Sequence, residues 1–321
     1  TLKGNASEDN RAFYFKKKAD DETAWTKIEP TAVDAVTGDF SVLMTDLTPA
    51  TEYQYYVVAG TDSHGETVTF TTDAAPLVPN MSFDQWISTN GTVYPNADLS
   101  DANYFWDSGN GGAKSASKTP TEETSDAVKG SAVYMHSEKA AILGIGAFAA
   151  GNIYTGQFIK AITSDLSNPG AELDFGRPYT GRPTRMRGYY KYSPGTIDEA
   201  KSPYEAMKNK QDMCSIYIAL CDWTGPFRVN TKEQKFVDLT DKNILAYGEL
   251  DLESCSKTVS EYTPFEIDIK YRDTSRKPTY ILIVASASKY GDYFTGSTSS
   301  KLHLDELEFD FGYNPESFTN E

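Results

Sequence analysis

Aromatic rings and planar polar side chains sit next to one another in several turn-rich stretches of this chain. Tyr104 and Trp106 stand beside Asp107, Trp223 follows Asp222, and Tyr293 follows Asp292. A ring left exposed at a turn stacks on the CH face of a sugar. Carboxylates and the forked guanidinium groups of Arg182 and Arg187 supply bidentate hydrogen bonds to its hydroxyls. Tyr104, Trp106, Arg182, Arg187, Trp223, Asp292 and Tyr293 are therefore the expected carbohydrate-contacting set. The same pattern also suits rings that plug the end of a sandwich and arginines that make structural ion pairs.

Other chemistries find less material. The three histidines, His64, His136 and His303, are accompanied by no Gly-x-Ser-x-Gly elbow, which argues against a Ser–His–Asp triad. His303 alternates with Leu302 and Leu304 and is expected to face solvent. Cys214, Cys221 and Cys255 have no zinc-site spacing. Cys214 and Cys221 lie seven apart on one expected strand and so point to opposite faces, which prevents a bridge between them. A bridge from either to Cys255 stays open. A formal net charge of −16 disfavours nucleic acid and anionic lipid as partners. No apolar run approaches the ~18 residues of a membrane span. The chain opens at Thr1 without a methionine, as it would after removal of an export signal, and a lipid anchor upstream of Thr1 is left open.

The elements that must position these residues read as strands. Ala12–Lys17, Phe40–Thr45 and Tyr53–Ala59 show strand character in the first 72 residues, and Tyr53, Tyr55, Val57 and Ala59 share one face. Glu66–Thr71 reads as a last strand there, with no clear first strand. Residues 73–79 carry two prolines and read as a semi-rigid linker. Residues 80–321 hold strand after strand, clearest at 185–192, 215–220, 265–270, 280–287 and 302–311, with one helix expected at 204–211. The 280–287 segment is nearly all apolar, as a strand buried on both faces would be. In the last strand Leu302 and Leu304 have one parity and Leu307, Phe309 and Phe311 the other. A β-bulge near Asp305–Glu306 reconciles them. The fold class expected is all-β, in two domains.

Two resemblances sharpen this reading. Leu47-Thr48-Pro49-Ala50-Thr51-Glu52-Tyr53 resembles the tyrosine corner of fibronectin type III modules, in which a tyrosine hydroxyl clamps the preceding loop. In the second domain, Asn80–Trp86, Phe105–Asn110, Phe148–Gly156, Leu173–Thr184, Arg187–Tyr192 and the closing Gly291-Asp292 to Leu307 resemble the putative carbohydrate metabolism domain family. That resemblance implies a jelly-roll-like, carbohydrate-binding-module-like sandwich behind a fibronectin-III- or immunoglobulin-like module. It further implies an exported protein in the periplasm or on the outer-membrane surface of a Gram-negative gut bacterium, with a polysaccharide or oligosaccharide partner.

By the same resemblance no cofactor is required, and a structural calcium held by Asp84 and Asp305 is the one ion the pattern allows. Non-catalytic glycan binding is the leading expectation. Glycoside hydrolysis and a structural role as an adhesin or assembly subunit are the alternatives. Glu266-Ile267-Asp268-Ile269 is similar to the core of laminarinase-type glycosidases, but Lys270 and Tyr271 stand where the third carboxylate belongs, so it carries no catalytic assignment.

Overall fold

The computed structural model describes every residue except 45–46, 62, 143–144, 166–168 and 313–321. Thr45 of the expected 40–45 strand lies outside the described residues. Residues 1–75 form one compact unit and residues 76–310 a second.

In the first unit, Asp39–Val42 pairs with Leu2–Asn5 and with Ala32–Val33. A second sheet places Glu52–Ala59 between Ala12–Lys17 and Val68–Thr71, with Thr26–Ile28 outside Ala12–Lys17. Period-2 alternation supplies the core: Leu2, Phe13, Phe40 and Val42 are buried, with Tyr55, Val57 and Phe70 packed against them. Tyr53 is also buried, and its hydroxyl accepts a hydrogen bond from the Thr48 backbone N–H at 2.9 Å. That bond ties the start of a central strand to the loop before it.

The second unit is an antiparallel β-sandwich. One sheet runs in the order Thr121–Thr124, Ala132–His136, Lys301–Asp310, Arg185–Ser193, Val259–Asp268. The other has nine strands. Tyr280–Ser286 lies at its centre between Asn152–Ile162 and Ser215–Cys221, and short strands at Trp106–Ser108 and Arg177–Pro178 pair onto it. Met135, Met186, Tyr192 and Leu304 from the first sheet meet Ile153, Ile218 and Ile283 from the second in one core.

Alternate residues of the same central strands, among them Tyr154, Cys221, Leu282 and Val284, form a second apolar cluster on the outer face, where Phe236 and Val237 pack over it. Both faces of this sheet are therefore buried, which accounts for the nearly all-apolar run at 280–287. Cys214 joins the inner core and Cys221 the outer cluster, on opposite faces. All three cysteines are free thiols and buried.

The register between Arg185–Ser193 and Lys301–Asp310 slips where Arg187 pairs with Glu308 but Tyr189 with Asp305. Glu306 there takes φ +47°, the left-handed twist of a bulge. That slip lets Leu304 and Leu307 both enter the core despite their opposite parity. The helix expected at 204–211 is not formed, since only Glu205–Met207 makes a single 3-10 turn. Backbone bonds from Asn209 N–H to Ile197 O and from Ile197 N–H to Lys210 O hold the segment as a folded-back loop instead. His303 is not solvent-facing either. It lies half-buried between Tyr134 and Tyr262, and burial lowers its imidazole to about 4.

Replacing Tyr53 by Phe removes one hydrogen bond and little volume. It should destabilise the first unit by about 1 kcal/mol in chemical denaturation. An unchanged midpoint would mean that the corner carries no energy.

Candidate functional site

Several segments line a half-open cavity of about 150 Å³ on the outer side of the nine-stranded sheet, among them the strand around Ala171 and Leu173 and three stretches that carry polar groups. The first begins with Trp106–Ser108, which pairs Asp107 opposite Tyr154. The Asp107 carboxylate is buried and fully engaged. It accepts the Tyr104 hydroxyl, the Ser108 N–H at 2.7 Å and the Phe158 N–H at 2.7 Å. Burial still pushes its carboxyl up, because three donors only partly replace lost water.

The following turn is glycine-rich for a steric reason: a Cβ on Gly111 would stand 2.4 Å from the Phe158 ring. That ring can form one wall of the cavity only because Gly111 has no side chain. Asn110, also buried, braces the turn by donating to Thr121 O at 2.7 Å and accepting the Thr121 N–H at 3.0 Å.

The second segment contributes Phe148, Ala150, Asn152 and Tyr154. Asn152 Oδ1 accepts the Gly109 N–H at 2.8 Å, which fixes the orientation of its amide. The third is the 3-10 turn Gly291–Tyr293. A Cβ on Gly291 would lie 2.4 Å from that of Ala150, so only glycine brings this turn against the cavity wall. The turn delivers Asp292.

As a residue Asp292 is half-buried, but its carboxyl is enclosed closely enough for burial alone to raise it to about 6. It has no donor among the described residues, and no like-charged neighbour contributes to the rise. The contrast with other buried aspartates is sharp. Asp212, like Asp107, is saturated: it accepts from Ser288 Oγ, Ser300 Oγ, Ser297 N–H and Met213 N–H at 2.7–2.9 Å.

Beside Asp107, the Arg177 guanidinium lies 4.7 Å over the Tyr104 ring, and Tyr94 packs edge-on to that ring. Its Nε and Nη2 are buried without hydrogen-bond partners, and burial lowers its pKa.

The residues expected from sequence to contact sugar do not gather at one place. Asp292 lines the cavity. Tyr104 serves Asp107 and Arg177. Tyr293 packs against Phe236 and Tyr204, with centroids 4.5 and 4.9 Å away. Trp223 is half-buried against Phe227 and Tyr280. Arg182 donates to Arg276 O at 2.7 Å. Arg187 belongs to the other sheet and pairs with Glu308 at 2.6 Å and Asp310 at 3.1 Å.

Trp106 is the clear correction. It is 0% exposed, edge-on to Phe83, with its indole N–H bonded to Pro79 O at 2.8 Å, so it has no face to offer a sugar. Tyr94, Arg177, Asn152, Tyr154 and Phe158 were outside the expected set. The segments around Asn152 and Tyr154 carried the family resemblance, which was the available signal.

Asp84 and Asp305 meet at one loop, but their oxygens face donors. Asp305 accepts N–H groups from Val128 (2.7 Å), Lys129 (3.3 Å) and Glu306 (2.8 Å), and Asp84 accepts the Ser131 N–H (2.9 Å) and the Ser82 hydroxyl (2.9 Å). Glu306 adds a third carboxyl with Oε1 buried and unpartnered. Even so, no cluster of three or more His, Cys, Asp or Glu among the described residues is arranged to hold an ion. N–H dipoles aimed at the carboxylates take the place a cation would need, so these residues do not fit calcium as they stand. Thermal unfolding in chelator and in calcium should coincide, and a calcium-dependent rise would overturn this reading.

The fold defines a jelly-roll-like β-sandwich protein, and its family match makes the larger domain carbohydrate-related. Residues 82–310 match the family described as putative carbohydrate metabolism domain, and the chain belongs to it. A solved structure described as a putative glycoside hydrolase from Bacteroides thetaiotaomicron VPI-5482 is 21% identical, with 90% of this chain and 86% of that one covered at a TM-score of 0.57. Another so described, from Bacteroides vulgatus ATCC 8482, is 23% identical, with 70% and 94% covered at a TM-score of 0.52. At these identities the likeness is one of fold. No curated protein matches the chain.

Asp292 gives a pH test with a definite sign. Its folded pKa of about 6 lies above the 3.8 of an unperturbed aspartate. The fold therefore favours the protonated form, and that stability is full below about pH 4 and lost as pH rises through about 6. Asp292→Asn should match the wild type near pH 3.5 and exceed its stability by at most about 3 kcal/mol above pH 7. A difference that does not grow with pH would place the carboxyl in solvent.

Proposed function

We propose that this chain is an exported glycan-binding protein, non-catalytic, with the Asp292 cavity as its recognition site and the first unit as a fibronectin-III-like spacer. The observation that carries the proposal is a half-open, largely apolar cavity holding one carboxylate that lacks both a donor and a carboxylate partner. Apolar walls take sugar CH and methyl surface, and a few convergent polar groups orient the ligand. The family to which the chain belongs points to the same theme. The Tyr53–Thr48 bond, in two small sheets, is the observation behind the spacer. The family resemblance is what supports the proposed placement in the periplasm or on the outer surface of a Gram-negative bacterium.

A second reading, glycoside hydrolysis, has one specific observation in its favour: a carboxyl near 6 suits a general acid at neutral pH. Hydrolysis needs a second carboxylate about 5–9.5 Å away as nucleophile or base. Asp107, which lies on the same face, has its oxygens engaged by three donors and so is poorly placed to act as nucleophile or base. Binding is the better-supported reading.

A glycan-array screen of the full chain, with each hit incubated and examined by chromatography, tests both. Selective binding without product, lost in Asp292→Ala, is the expected result. Released product would install the hydrolase reading instead, and silence across the array would overturn both in favour of a structural role.

A further inference from the structure

We propose that the Asp292 cavity receives the acetamido group of a 2-acetamido sugar, which makes N-acetylated glycans the ligand class. The inference rests on the glycan-binding reading above and specifies it. An acetamido group makes three demands at once: an apolar wall for its methyl, an acceptor for its N–H and a donor for its carbonyl. Phe148, Phe158, Ala113 and Ala150 line the wall. The Asp292 carboxylate is the acceptor, with no donor of its own among the described residues.

Asn152 supplies the donor. Its Oδ1 is taken by the Gly109 N–H at 2.8 Å, so its Nδ2 is the end left over, and Nδ2 has no partner among the described residues. The two polar groups are thus of opposite kind, and both belong to the lining of one cavity.

Size narrows the ligand further. Apolar cavities of about 150 Å³ admit a group the size of benzene. A small substituent enters and the pyranose ring stays outside. A bare hydroxyl would leave the apolar walls unfilled. The methyl of a 6-deoxy sugar would fill them but bury Asp292 and Asn152 against a surface that offers neither a donor nor an acceptor, which costs free energy. The acetamido group meets all three demands.

Saturation-transfer difference NMR on the full chain, with N-acetylglucosamine, N-acetylgalactosamine, glucose and fucose as probes, reads the contact directly. The strongest transfer should fall on the acetyl methyl, with none to glucose. Asp292→Ala should weaken binding of the acetylated sugars about tenfold or more, the worth of a hydrogen bond to a charged group. Ala116→Leu, which fills the cavity from a half-buried wall position, should abolish the methyl signal while circular dichroism stays that of the native fold.

Equal transfer to glucose, strongest transfer to the fucose methyl, or a methyl signal that survives Ala116→Leu would each overturn the proposal. Array hits confined to glycans without acetamido groups would overturn it and leave the glycan-binding reading standing. No hit of any kind would overturn both.

Discussion

The Ser215–Cys221 and Tyr280–Ser286 strands point apolar side chains alternately to both faces of one sheet, so water has to be kept from both. The five-stranded sheet covers the inner face and closes the main core. The outer face is covered by Phe236 and Val237 on one side and, on the other, by the Phe158 ring under the turn after Asp107 and by the two-stranded hairpin of Glu138–Ile142 and Ile145–Ala149, whose Phe148 lines the cavity. Loops fill a flat sheet less completely than another sheet does. The half-open cavity is what remains between them, a by-product of burying the second face.

Buried aspartates fasten those coverings in place. Asp107 gathers a hydroxyl and two backbone N–H groups, Asp212 joins two serine hydroxyls and two amides, and Asp305 pins the loop at Val128–Lys129 to the bulge. Each loses water and recovers part of that loss through donors, so each acts as a structural tie. Asp292 loses water in the same way and recovers nothing. An uncompensated carboxyl costs stability. This asymmetry among four aspartates, more than any single distance, separates the site from the scaffold.

Much of the scaffold was legible in the residues. Period-2 alternation located most strands, the parity break between Leu304 and Leu307 marked the bulge, and the seven-residue spacing of Cys214 and Cys221 placed them on opposite faces. The site was legible only in part. Asp292, one of the expected contact residues, lines the cavity, and the segments that wall it carry the family resemblance, yet most of the expected rings pack against other side chains. Trp106 sits beside Asp107 in a turn-rich stretch and looks exposed by that company. Phe83 and Pro79, brought over it from another segment, bury it. Arg187 looked like a sugar ligand until Glu308 and Asp310 of a neighbouring strand took up its fork.

By itself the sequence determined the alternation of apolar and polar side chains, and with it the all-β class, the strands and the bulge, because these depend on neighbours one to seven positions away. Only the tertiary structure decided which polar groups found partners. Asp107, Asn152 and Asp292 are equally polar in the sequence. The chain's folding brings donors to Asp107, orients Asn152 through the Gly109 N–H and leaves Asp292 alone, since hydrogen-bond satisfaction is a property of contacts between distant segments.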